Sequence, residues 1–511
     1  MPIIGKFIKR GVQISRNMKF RNLTPIEYQE RTLRKLLRKA ALTAFGAYYN
    51  FKEILNSDNL TERFQQNIPI FDYDMIYNQW WHRTLNEEKD VCWAGKIKYF
   101  ALSSGTSGAP SKHIPITQDS LRSHRRGSLR LFTILPNYQV PPSVYGKGIM
   151  LLGGSTALEP KGGYYVGDLS GITASKVPFW FRPFYKPGFE IAGEKDWESR
   201  IAKIAENAPN WDIGIIGGIP SWIQLLMERI IEHHGVNTIH DIWPSLEVFV
   251  SGGVAFEPYR KSFDRLTIRP LKVIDTYLAS EGYVSLQSRP EAKGMKMLLN
   301  NGVFFEFVPF NENNFNENGE IIGKPKALTI AEVEEDVDYA LLMSTNAGIW
   351  RYLLGDTVRF VDKARSEIVI TGRTQHFLSI CGEHLSVMNM TDGVNMVAKE
   401  LNITALEFTV AGVRHDNFFA HKWYIGCDDI VDKTVFRDKL DAALKVLNAD
   451  YETERTAVLQ DVIVEIIPTY IFYKWHQING KMGGQNKFPR VMKAGKFKEW
   501  EAFVEEVMVE R

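Results

Sequence analysis

Apolar residues recur along the chain with two different periods, and the period changes from one region to the next. Thr24-Pro25-Ile26-Glu27 reads as a helix start, with a capping hydroxyl, proline in the first turn and glutamate three residues after the threonine. Leu33, Leu36, Leu37, Ala40 and Ala41 follow at helical spacing, so one amphipathic helix is expected to run to about Phe45. Short apolar runs at 147–152, 213–216, 247–250 and 271–274 read as buried strands, and 221–233 between two of them has helical period. Strand and helix in alternation predict an α/β fold with a largely parallel sheet. At 302–309 and 340–360 the pattern becomes period-two, which predicts an antiparallel section, a small barrel-like β subdomain. Beyond Gly372, strand-like runs at 407–413, 422–427 and 462–467 flank a helical face of Phe436, Leu440, Leu444 and Leu447. The expected organisation is a large N-terminal α/β domain, residues 1–372, and a smaller α+β domain, residues 373–511.

Composition narrows this picture. A chain of 511 residues exceeds what one core supports, so two or more domains are expected. Hydrophobic content of 44% and charged content of 24% are ordinary for a globular protein. A net charge of +2 provides no strong field for nucleic acid or an anionic membrane. Arg122, Arg125, Arg126 and Arg130 cluster locally, and their first reading is a solvated helix face. Cys92, Cys381 and Cys427 are widely separated, which fits reduced thiols better than a disulfide framework. His233-His234 has no accompanying zinc pattern. The first ten residues lack an uninterrupted apolar core and cleavage site, and no apolar run is long enough to span a bilayer. A cytoplasmic protein with no stable membrane insertion is expected.

The chemistry begins at Ser103-Ser104-Gly105-Thr106-Ser107-Gly108-Ala109-Pro110-Ser111-Lys112, directly after an apolar run. Glycines let backbone amides converge on an anion, hydroxyls add donors, and Lys112 adds a mobile positive charge. It is not a Walker A loop, because Pro110-Ser111 stands where the second glycine belongs. On composition alone, a phosphate cradle and an ordinary surface turn remain equally open.

The segment resembles the phosphate loop of the acyl-adenylate-forming superfamily, and in particular that of the GH3 family of acyl acid amido synthetases. Four further segments resemble the family's motifs in the expected order: Val250-Ser251-Gly252-Gly253, Asp275-Thr276-Tyr277-Leu278-Ala279-Ser280-Glu281, Trp350-Arg351-Tyr352-Leu353-Leu354-Gly355-Asp356 and Gln485-Asn486-Lys487-Phe488-Pro489-Arg490. The last selects GH3 within the superfamily. Leu278-Ala279 departs from the Gly/Ser pair common in plant members, so no plant hormone substrate is carried over.

The resemblance implies a two-step reaction. A carboxylic acid attacks the α-phosphate of ATP to give an acyl-AMP and pyrophosphate; an amino acid or other amine then takes the acyl group and AMP leaves. It also implies the roles. Ser103, Ser104, Gly105, Thr106, Ser107, Gly108 and Lys112 would hold the phosphates, and Glu281 would bind Mg²⁺. Ser251, Gly252, Gly253, Tyr277, Ala279 and Ser280 would contact the nucleotide, Asp356 would accept from the ribose, and Arg373 would contact the nucleotide at the hinge. Lys487 would reach from a mobile lid to the α-phosphate. Arg126 or Arg130 would pair with the acid's carboxylate. Read without the resemblance, Glu281 is a carboxylate at a helix N-terminus, Asp356 a turn residue, Tyr277 a core aromatic and Lys487 a solvated lysine. The rival functions are an acyl-CoA ligase sharing the first step and a catalytically silent adenylate-binding protein.

Overall fold

The structure, a computed structural model, describes residues 23–103, 112–254, 256–316, 319–374, 378, 385–415, 418–448, 451–452, 455, 459–479, 487–492 and 494–509. Its first helix, Pro25–Ala40, opens as the sequence predicts: Thr24 N donates to the Glu27 carboxylate at 2.7 Å while Glu27 N donates to the Thr24 hydroxyl at 3.4 Å. It does not continue to Phe45. The chain turns at Ala41, and Thr43 caps a second helix, Ala44–Tyr48, by accepting from Gly46 N at 3.0 Å. Gly46 packs so tightly that a Cβ there would lie 2.0 Å from the Ala40 carbonyl oxygen, which ties the break to that glycine.

One sheet dominates the chain. From edge to edge its eleven strands are Val303–Pro309, Asp338–Thr345, Ile349–Asp362, Glu367–Arg373, Met295–Met297, Gly282–Leu286, Lys272–Ala279, Val248–Gly252, Ile213–Gly218, Gly148–Leu151 and Tyr185–Lys186. The last five pair in parallel, as the apolar runs predict, and everything on the other side of Lys272–Ala279 is antiparallel. The expected barrel-like subdomain is therefore not a sheet of its own. The period-two strands extend the same sheet, because Met295–Met297 bridges Gly282–Leu286 to Glu367–Arg373. Helices Trp197–Asn207 and Pro220–His234 bury Ile204, Trp222, Leu226 and Ile230 in a core shared with Ile216 and Phe249 of the sheet. A second core packs Leu33, Leu37, Phe51 and Phe64 against Phe304 and Trp350 of the antiparallel half.

A smaller sheet of four strands carries the hairpin of Tyr99–Ser103 and Lys112–Ile116, in which Ser103 pairs with Lys112. The rest of the phosphate-loop segment, Ser104–Ser111, lies outside the described residues. After Arg373 the chain builds a separate three-stranded sheet, Ala405–His415, Phe418–Cys427 and Leu459–Ile467. Its core includes Val394, Val410, Trp423, Phe436 and Leu440, with the last two on the helix Lys433–Leu447 that the sequence predicts. Among the described residues no helix is long and apolar enough to cross a membrane.

Candidate active site

The sheet changes from parallel to antiparallel at the Ser280-Glu281 turn, between Lys272–Ala279 and Gly282–Leu286. Parallel α/β sheets bind ligands outside the carboxyl ends of their strands. Three such ends meet here: Gly218, the Ser251-Gly252-Gly253 segment, and Ala279-Ser280-Glu281. Strand pairing sets Ser251 opposite Asp275 and Gly252 opposite Thr276, whose hydroxyl donates to the Ser251 carbonyl at 2.9 Å. Gly253 has φ of 90°, a conformation that suits glycine. A Cβ on Gly253 would also stand 3.0 Å from Lys487 Cε, so the missing side chain leaves the path along which Lys487 enters.

The antiparallel half supplies the opposite wall. Asp356 and Arg373 are cross-strand partners, with Arg373 Nε 3.1 Å from Asp356 Oδ1. Tyr277 is buried, and its hydroxyl donates to Asp356 Oδ2 at 2.5 Å. One aspartate thus joins the second and third motifs, holding the tyrosine ring on one side and a half-exposed guanidinium on the other. Asp356 lies within the strand Ile349–Asp362, so it is no turn residue. Gly355 before it has φ of 88°, which breaks the regular strand at this point.

Glu281 sits in a hairpin turn and not at a helix N-terminus, which removes the dipole reading. It is only 6% exposed, and desolvation pushes its pKa up to about 7. The nearby Asp356 charge pushes the same way, while Lys112 and Arg373 oppose it. Lys112 is also held below its usual pKa by burial, with Glu281 acting against that. Its ammonium stands 5.2 Å from the centroid of the Tyr73 ring, and the Tyr73 hydroxyl accepts from His113 N at 2.8 Å. Lys487 is open to solvent by area but lies deep among protein atoms; desolvation lowers its pKa and Asp356 raises it. Among the described residues, Lys112, Glu281 and Lys487 form no ion pair, although all three lie within one electrostatic neighbourhood. Depressed lysines and a raised carboxyl in one crevice make it the candidate functional site.

Of the residues singled out from sequence, Lys112, Ser251, Gly252, Gly253, Tyr277, Ala279, Ser280, Glu281, Asp356, Arg373 and Lys487 lie around this crevice. Ser103 ends a strand beside Lys112, and Ser104, Gly105, Thr106, Ser107 and Gly108 lie outside the described residues. Arg126 and Arg130 sit on the helix Gln118–Ile134, where Arg126 donates to Ser123 Oγ at 3.2 Å and Arg130 donates to Asn300. Sequence reasoning missed Tyr73, which no motif marks. It also missed Asp275, which desolvation pushes up to about 6, although it begins the second motif.

Sequence models of the GH3 family N-terminal, central and C-terminal domains match residues 16–202, 296–372 and 388–496 in that order, together well over half of the chain. The chain belongs to the GH3 family. Among curated relatives it is similar to indole-3-acetic acid-amido synthetase GH3.5 of Arabidopsis thaliana, 23% identical over 406 residues, 65% of this chain and 64% of the relative. It therefore spans just under two thirds of that relative's length. It is also similar to jasmonoyl–L-amino acid synthetase JAR4 of Nicotiana attenuata, 22% identical over 451 residues and 74% of each chain. Among solved structures, the GH3.15 acyl acid amido synthetase shares the fold with a TM-score of 0.76 at 15% identity, covering 98% of this chain and 96% of that one. A 2-hydroxyisobutyryl-CoA ligase in the postadenylation state matches with a TM-score of 0.58 at 12% identity, over 93% and 91% of the two chains. Both solved structures thus share the overall fold of this chain.

Proposed function

We propose that this GH3 protein is an ATP-dependent acyl acid amido synthetase that joins a small carboxylic acid to an amino acid or other amine. The observation that carries the reading is the convergence of Lys112, Glu281, the Tyr277–Asp356–Arg373 cluster and Lys487 on one crevice at the parallel–antiparallel switch. In the first step a carboxylate oxygen of the acid bonds to the α-phosphorus of ATP and pyrophosphate leaves. In the second, the amine nitrogen attacks the acyl carbon, loses a proton, and AMP leaves with the bridging oxygen. Ser103–Gly108 and Lys112 would hold the departing phosphates, Tyr277 would pack on the adenine, and Asp356 would accept from the ribose hydroxyls. Lys487 would neutralise charge developing at the α-phosphate.

Magnesium fits the donor set. Glu281 is a buried oxygen donor whose charged form is disfavoured until a cation arrives, and Mg²⁺ takes few protein ligands, filling its shell with phosphate and water. When bound, the ion supplies neutralising charge on the phosphate oxygens. Residues 1–372 are read as the adenylating body and 373–511 as a lid that moves between the two half-reactions. The oxygen route tests the chemistry. With an acid labelled in its carboxylate by ¹⁸O, amide formation should deposit one ¹⁸O in AMP, read by mass spectrometry. Label in pyrophosphate, or thioester formed only with CoA, would defeat the reading.

A further inference from the structure

The lid carries Lys487, and among the described residues a fully buried hydrogen bond to a charged group joins that part of the lid to the body. Tyr259, 1% exposed, follows the crevice segment on the short helix Glu257–Tyr259 and donates its hydroxyl to Glu407 Oε1 at 2.8 Å. The other oxygen of the Glu407 carboxylate accepts from Arg490 Nη1 at 2.6 Å. Arg490 donates also to the Phe408 carbonyl at 3.1 Å and lies 4.5 Å from the centroid of the Phe408 ring. Two residues, Phe488 and Pro489, separate Arg490 from Lys487. The intervening backbone is fastened to the lid sheet: the Thr409 hydroxyl donates to the Pro489 carbonyl at 2.8 Å, and Val410 N donates to the Arg490 carbonyl at 2.9 Å. The neighbouring Leu406, 8% exposed, is buried in the body's hydrophobic cluster with Phe256, Tyr259 and Phe263.

From this geometry we infer that Tyr259, Glu407 and Arg490 form a latch that positions Lys487 at Gly253. The three are positioning residues; they act through Lys487, so the inference rests on the adenylation reading. The charge arrangement suits a contact that must reopen. Glu407 and Arg490 both belong to the lid, so the ion pair travels intact when the lid leaves the body, and no buried charge is stranded. Undocking breaks the buried Tyr259 hydrogen bond, together with the more exposed bonds of Lys261 to Asn402 and of Arg265 to Thr404, and uncovers Leu406. Docking is directional, because the carboxylate, held by Arg490, offers its remaining oxygen in one place only. Buried polar groups of this kind are best attested as devices that set register.

The test reads the undocked state directly. Leu406→Cys places a thiol that a maleimide reaches when the lid lifts, and Cys92, buried in the body, reports unfolding within the same sample. Adding Tyr259→Phe or Glu407→Gln should raise labelling at position 406 roughly tenfold, the scale of a lost hydrogen bond to a charged group, while labelling of Cys92 stays constant. The same two variants, in the otherwise native chain, should slow acid-driven pyrophosphate exchange. Labelling at 406 that is unchanged, or that rises in step with Cys92, would overturn the latch. A wild-type protein that supports no exchange with any acid, yet whose position 406 responds as expected, would overturn the adenylation reading and leave the latch standing.

Discussion

Two clusters of charge border the antiparallel half of the main sheet, and they are finished to different degrees. In one, Arg351 is 5% exposed and Glu306 1% exposed, and their side chains meet at 3.0 Å. Arg351 spends its remaining donors on the carbonyls of Gln65 at 2.9 Å and Ile68 at 2.6 Å, and the Gln65 amide donates to Glu306 at 2.9 Å. Every charge there has its partner inside the protein. In the other cluster, five residues further along the same strand, Asp356 is paired, but Glu281, Lys112 and Lys487 are buried or deeply set without ion pairs among the described residues. A buried charge left unmatched is unfavourable. On the proposed function, a charged ligand would complete the network here.

The contrast predicts that the first cluster governs stability and the second governs chemistry. Arg351→Met strands the Glu306 carboxylate and should destabilise the fold by about 3–5 kcal/mol, seen as a fall in the urea midpoint. A loss under about 1 kcal/mol would mean that the pair is dispensable. Lys487→Ala should leave that midpoint in place while lowering the rate of acid-driven pyrophosphate exchange by about 10²–10³-fold, the scale of a lost charge-stabilising donor. Parallel loss of stability and rate would erase the distinction.

Glu281→Gln sharpens the comparison through pH. The folded pKa of about 7 exceeds the ordinary value of 4.5, so between these limits the folded state holds a proton that the unfolded state has lost. Stability from this group is complete below the unfolded pKa and is lost as pH rises through the folded one. Without Mg²⁺ or ATP, the glutamine variant should therefore melt several degrees above wild type at pH 8 and level with it near pH 4. Equal melting at both pH values would refute the desolvated carboxyl. The smallest effect is expected of Tyr277→Phe, which removes one hydrogen bond to Asp356. It should raise the KM for ATP by roughly 2–10-fold, corresponding to about 0.5–1.5 kcal/mol.

How much of this was legible in the sequence follows the range of the interactions involved. The capping box at Thr24 is local, and it formed as read. The parallel strands are marked by continuous apolar runs, and they appear within one to five residues of the expected bounds. The break after Ala40 was invisible because Leu, Ala and Phe keep helical spacing across it; only the tight approach of Gly46 to the Ala40 carbonyl explains it. The barrel-like expectation failed for a similar reason. Period two reports which face is buried, but it does not say which strand lies beside the edge, and the short Met295–Met297 strand does that joining.

The candidate site was legible through motifs, since Tyr277, Glu281, Asp356 and Lys487 each stand in a recognisable segment. Its supports were not. Tyr73 reaches Lys112 from a helix 39 residues earlier, Arg351 finds Glu306 across the intervening strand Asp338–Thr345, and Tyr259 meets Glu407 across 148 positions of sequence. No periodicity encodes such pairings.

The central claim is that this crevice activates a carboxylic acid with ATP and that Lys487 serves the first half-reaction. Acid-dependent ATP–pyrophosphate exchange, run with wild type and Lys487→Ala across a panel of benzoates, indole acids and fatty acids, tests it most directly. The account predicts exchange that requires an acid, proceeds without any amine, and falls by about 10²-fold or more in the variant. Absence of exchange with every acid, or equal exchange by the variant, would contradict it.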